Sequence, residues 1–105
     1  MRDENDRTTI LMVDDHALVR QGLRQLLETQ EDLRVVGEAG EAEGAVTLAA
    51  ETAPDIVLLD VEIPGGEVTE TVRRIGERSP RSRIIILSMH EGPELVQAKI
   101  GRAHV

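Results

Sequence analysis

Three short apolar runs in this chain end in side chains that carry oxygen. Residues 9–13 (TILMV) run into Asp14 and Asp15, residues 56–59 (IVLL) into Asp60, and residues 83–87 (RIIIL) into Ser88. Unbroken β-branched and Leu runs of this length read as strands buried on both faces of a parallel sheet. The strands of a parallel sheet end on one edge, and ligands of open α/β sheets bind there. Asp14, Asp15, Asp60 and Ser88 are therefore expected to converge. Carboxylates brought together repel and stay ionised at neutral pH when a cation joins them. Hard oxygen donors without His or Cys favour Mg²⁺ over zinc or copper. An Asp beside such an ion, with a hydroxyl nearby, suits phosphoryl transfer: the carboxylate attacks phosphorus while donors offset charge on the equatorial oxygens. The plainer alternatives are a helix N-cap pair at Asp14-Asp15, an acidic turn residue at Asp60 and a strand-end hydroxyl at Ser88. The shared register of all three tips favours the chemical reading.

The elements that must position these groups alternate. Residues 1–8 are a charged lead-in, expected to be disordered. After the first strand, residues 16–28 carry Leu18, Val19, Gly22, Leu23, Leu26 and Leu27 at helical spacing, with Arg20, Arg24 and Glu28 opposite. Residues 33–39 (LRVVGEA) form a more polar strand, nearer a sheet edge. Residues 41–52 place Ala42, Ala45, Val46, Ala49 and Ala50 on one helical face. Pro54 ends that helix and Pro64-Gly65-Gly66 forces a turn after the Asp60 strand. Residues 68–78 are helical, with Val72 and Ile75 inside, and Ser79-Pro80 breaks them. Beyond the fourth strand lie a loop at 90–93 and the start of a fourth helix at 94–99. This βαβαβαβα order implies right-handed crossovers and a parallel sheet covered on both faces.

Composition narrows the function classes. The chain has 105 residues, enough for one small core. Its formal net charge of −8 makes it a poor nucleic-acid binder by itself. Arg73, Arg74, Arg78, Arg81 and Arg83 form a basic run that reads as a solvated face. With no Cys there is no thiol chemistry, and with no aromatic residue there is no base-stacking platform. No apolar run is long enough to span a membrane and no signal peptide is visible, so a cytoplasmic location is expected. His16 and His90 read as solvated loop or helix-start residues rather than ligands.

The stretches ILMVDDHALVRQGLRQLLE, VVGEA, APDIVLLDVEIPGG and RIIILSMH resemble the receiver domain of two-component response regulators. The likeness is strongest to the LuxR/NarL-type branch, which carries a C-terminal helix-turn-helix. The resemblance covers nearly everything from Ile10 to about Ala98. It implies a flavodoxin-like, doubly wound α/β fold with strand order 2-1-3-4. It also implies Asp60 as phosphoacceptor, Asp15 as a direct Mg²⁺ ligand, and Asp14 as a ligand through water or by sharing the ion. The main-chain carbonyl of Glu62 would be a further ligand and Ser88 the switch hydroxyl. The implied partners are a sensor histidine kinase and, through an absent output domain, DNA; the full-length parent would form a homodimer on phosphorylation.

Two features depart from that family. The turn after the phosphoacceptor strand usually has an acid-Gly pair, whereas Glu67 here precedes Val68. The fifth βα unit, with a Lys that pairs with the phosphoryl oxygens and an aromatic coupled to Ser88, is expected to be missing, which leaves 9–98 as an incomplete receiver. Lys99 is the only Lys. Residues 99–105 end in IGRAHV and are expected to be a non-native tail, adapter read-through with the natural gene continuing beyond it. An exposed fourth-strand edge and marginal folding would follow. The alternative from another class is a Mg²⁺-dependent phosphatase-like enzyme with an aspartyl nucleophile. Such enzymes usually carry an Asp two residues past the nucleophile, where this chain has Glu62. A flavin or nucleotide binder would need a phosphate loop after the first strand, and none is present.

Overall fold

A computed structural model describes residues 6–89 and 96–102, the side chains of 88, 89 and 96–102 excepted. The elements run β1 (Thr8–Val13), α1 (Ala17–Glu28), β2 (Leu33–Ala39), α2 (Ala42–Thr52), β3 (Ile56–Asp60), α3 (Val68–Arg78), β4 (Arg83–Met89) and β5 (Val96–Arg102). The sheet order is β2-β1-β3-β4-β5. The first four strands are parallel, in the 2-1-3-4 order expected. The charged lead-in is shorter than expected: Thr8 belongs to β1, and its N–H donates to the Asp32 carbonyl at 2.7 Å.

The strand runs and helical periods explain where the core lies. Alternate side chains of β1, β3 and β4 point to opposite faces. Leu11, Val13, Val57, Leu59 and Ile84 pack under α2 and α3, meeting Ala45, Ala49 and Ile75. Ala-rich α2 approaches the sheet closely for lack of side-chain bulk. It starts on Glu41, whose carboxylate accepts the N–H groups of Glu43 (3.0 Å) and Gly44 (2.6 Å). Ile10, Met12 and Val35 point the other way, toward Leu23 and Leu27 of α1. This second cluster is smaller. Leu18 and Leu26, on the same apolar side of α1, stand 83% and 64% exposed.

The chain beyond β4 also differs from expectation. Residues 96–99, expected in a helix, lie in β5, which pairs antiparallel with β4 from Met89↔Val96 to Arg83↔Arg102. The physical reason is the open β4 edge: unpaired N–H and C=O groups there recruit any extended segment that reaches them. The fourth-strand edge is therefore paired rather than bare. Lys99 and residues 100–102 of the expected tail are part of this ladder, whereas residues 1–5, 90–95 and 103–105 lie outside the described residues.

Candidate functional site

Two strand ends build the site. At the end of β1 the Asp14 N–H donates to the Ala39 carbonyl at 2.9 Å, so the β1–β2 ladder continues into the first acid. At the end of β3 the Val61 N–H reaches the Leu87 carbonyl at 3.2 Å. Between these two anchors Asp14 and Asp60 are buried, at 8% and 4% exposure, and Asp15 is exposed. Arg20, one turn into α1, donates to the Asp14 carbonyl and pairs with Glu38 on β2 at 3.3 Å. It fixes the Asp14 backbone from outside the cluster.

The acids converge as the sequence predicts. One ligand atom each from Asp14, Asp15, His16 and Asp60 lies within 4.8 Å of the other three. A cleft of about 220 Å³ opens over them, lined by Asp14, His16, Val19, Asp60 and Glu62. Asp60 Oδ1 accepts the Glu62 N–H at 3.0 Å. Its Oδ2 has no hydrogen bond among the described residues; the nearest cationic atom is His16 Nδ1, 3.9 Å away. Burial pushes the Asp60 carboxyl above its ordinary pKa; the Glu62 N–H opposes the rise, and the charges of Asp14, Glu62 and Asp15 add to it.

His16 is the residue that sequence reasoning set aside. Its ring is 60% exposed, as a helix-start residue should be, and it is the N-cap of α1. The backbone turn that brings its N–H to Asp14 Oδ1 (2.7 Å) also carries its ring over the carboxylates. Nδ1 lies 3.1 Å from Asp14 Oδ1 and 3.0 Å from Asp15 Oδ1. Its pKa is raised, first by the hydrogen bond to Asp14 and then by the Asp15 charge. The Asp14-Asp-His16 tripeptide was the available signal, since an imidazole next to two carboxylates at a strand tip cannot be far from them. Ser88 sits in β4 one residue past Leu87, the partner of Asp60, but its hydroxyl lies outside the described atoms, as does His90. After β3, Gly65 and Gly66 adopt positive φ (106° and 136°) and form the turn, and Glu67 follows as the N-cap of α3. The missing acid-Gly pair therefore leaves the loop after Asp60 with glycines at its special positions.

The donor set fits a hard divalent cation. In an octahedral shell with bonds of about 2.1 Å, neighbouring ligand atoms lie about 3 Å apart and opposite ones about 4.2 Å. The distances here span that range with small adjustment, and three carboxylates gathered at one place are a donor set that calls for a counter-charge. Among the described residues no helix is long and apolar enough to cross a membrane.

Comparison with known proteins agrees with this geometry. Residues 10–103 match the response regulator receiver domain. The nitrate/nitrite response regulator NarL of Escherichia coli K12 is 38% identical over 94 residues, covering 90% of this chain and 44% of that protein. The response regulator UvrY of the same organism is 41% identical over 95 residues, covering 90% and 43%. Among solved structures, a LuxR-family two-component response regulator from Aurantimonas sp. SI85-9A1 superposes with a TM-score of 0.74 at 42% identity, over 82% of this chain and 61% of that one. The chain thus spans less than half the length of the curated relatives it matches. With its 2-1-3-4 parallel sheet and acidic strand tips, it belongs to the receiver-domain family of response regulators and is similar to the LuxR-type branch.

Proposed function

We propose that this chain is a cytoplasmic phosphoacceptor module and that Asp60 takes a phosphoryl group from a phosphohistidine of a sensor kinase. The single observation carrying this is the convergence of three carboxylates at one cleft, with Asp60 buried and its Oδ2 without a hydrogen bond among the described residues. In the reaction Oδ2 attacks phosphorus, the P–N bond breaks, and the imidazole leaves with its electron pair and takes up a proton. The result is an aspartyl phosphate on Asp60 and a neutral histidine on the kinase.

Asp14, Asp15, Asp60 and the main-chain carbonyl of Glu62 would hold Mg²⁺. When bound, the ion offsets the negative charge of the carboxylates and of the incoming phosphoryl oxygens. The protein's own part is positional. The Glu62 N–H holds Oδ1 so that Oδ2 faces the donor, and the Arg20 contact keeps the Asp14 backbone in place. Ser88, next to the β4 partner of Asp60, would donate its hydroxyl to the phosphoryl group and report its presence. In a full-length parent that change would reach a helix-turn-helix domain, promote dimerisation and control transcription. Residues 99–105 are read as a non-native tail, a proposal that sequencing the source DNA tests.

The test is incubation with acetyl phosphate and Mg²⁺. About one phosphoryl group per chain is expected, located on Asp60 by mass spectrometry and lost in Asp60→Asn. Repeated turnover of phosphate esters without a stable adduct would overturn the proposal in favour of the phosphatase-like enzyme. No particular of the site favours that second reading.

A further inference from the structure

We infer that His16 is a ligand at the cation site, so that the site takes borderline divalent ions such as Ni²⁺ or Co²⁺ through one nitrogen and several oxygens. The inference rests on the proposed reading of Asp14, Asp15 and Asp60 as that site.

The geometry is specific. His16 Nδ1 stands 3.1, 3.0 and 3.9 Å from carboxylate oxygens of Asp14, Asp15 and Asp60. Those separations match the spacing of ligand atoms that share one ion, about 3 Å for neighbours in an octahedron with bonds near 2.1 Å. Three of the four residues are tied in place by the backbone: Asp14 by the β1–β2 ladder, Asp60 by the end of β3, and His16 by its own N–H on Asp14. His16 and Asp60 line the same cleft, with Nδ1 of His16 3.9 Å from Oδ2 of Asp60. Asp60 is buried beside the carboxylates of Asp14 and Asp15, and three acids at one place favour a cation there.

Mg²⁺ has little use for nitrogen donors, whereas affinity for an imidazole rises steeply along the first-row series. A purely oxygen-lined site separates these ions weakly. One ring nitrogen in the first coordination sphere separates them strongly, and this chain offers that nitrogen at the ion's edge. His16 then determines metal specificity without touching the phosphoryl chemistry.

The experiment is calorimetric titration of the whole chain with Ni²⁺ and, separately, Mg²⁺, in a His90→Gln/His104→Gln background so that His16 is the only imidazole. Introducing His16→Gln should weaken Ni²⁺ by about tenfold or more and leave Mg²⁺ no weaker than before. Proton NMR of the Ni²⁺ form should show strongly shifted imidazole resonances that vanish in His16→Gln. An unchanged Ni²⁺-to-Mg²⁺ affinity ratio with Mg²⁺ still binding, and no shifted imidazole signal, would overturn the role of His16 alone. Failure of both ions to bind, in the background protein and in its Asp15→Asn variant alike, would overturn the cation site itself and this inference with it.

Discussion

The backbone N–H of Glu62 holds Oδ1 of Asp60 at 3.0 Å and leaves Oδ2 of the same carboxylate without a hydrogen bond among the described residues, in a side chain that lines the cleft. One oxygen is thereby occupied by the chain and the other kept for chemistry. A carboxylate fixed by a neighbouring amide loses less rotational freedom when it reacts than one free to spin. The turn that supplies this amide is therefore as much a part of the site as the acid.

That turn depends on Gly65. Its φ of 106° is one that residues with a Cβ rarely adopt, and an added Cβ would come within 3.1 Å of Ala42 Cβ and 3.2 Å of Ala42 N. The Ala42 N–H is donated to the Pro64 carbonyl at 3.0 Å, so the clash falls on a contact that ties the turn to α2. Gly65→Ala should cost about 1–3 kcal/mol in urea denaturation. It should also slow labelling of Asp60 by acetyl phosphate, because the Glu62 amide moves with the turn. A variant as stable as the parent would show that the turn relaxes without cost.

The two sides of the sheet should respond differently to truncation of leucine. Leu59 is fully buried among the α2 and α3 side chains, whereas Leu26 is 64% exposed on α1. Leu59→Ala should destabilise the protein by about 2–5 kcal/mol. Leu26→Ala should change it by no more than about 0.5 kcal/mol. Comparable losses in chemical denaturation would mean that α1 buries its outer leucines in solution.

A surface ion pair on α3 makes a pH prediction. Arg73 donates to Glu70 through Nε at 3.1 Å and again through Nη2, and this pairing holds the Glu70 carboxyl below its ordinary pKa. A depressed acid contributes stability above its unfolded pKa and loses that contribution as pH falls through its folded pKa. Both groups are exposed, so the effect on overall stability is small. Carbon NMR of the Glu70 carboxyl should show a midpoint below that of an unpaired Glu, moving upward in Arg73→Gln. An unmoved midpoint would mean that the pair does not persist in solution.

Pairing of β4 with β5 shields a strand that includes Ile84, Ile85, Ile86 and Leu87. Ending the chain after Met89 would remove the whole β5 ladder and bare that edge. Sedimentation velocity should then show association that grows with concentration while the helical circular dichroism signal persists. A monomeric truncated chain would show that the β4 edge does not need its antiparallel neighbour.

Much of this molecule was readable from residue order. The runs TILMV, IVLL and RIIIL are too short and too β-branched for helices, and the helical spacing in 16–28, 41–52 and 68–78 placed a helix between each pair of strands. From that alternation alone follow the parallel sheet, the shared edge and the convergence of Asp14, Asp15 and Asp60. Local pattern is enough there because each element buries its own apolar side against the next.

Residue order did not determine which elements would be covered or paired by distant ones. Periodicity identified the apolar arc of α1, but only packing decided that Leu23 and Leu27 reach the sheet while Leu18 and Leu26 face solvent. Val96-Gln-Ala-Lys99 has no strand pattern of its own; the open edge of β4 made it one, because backbone pairing is indifferent to local propensity when a ladder stands unfilled.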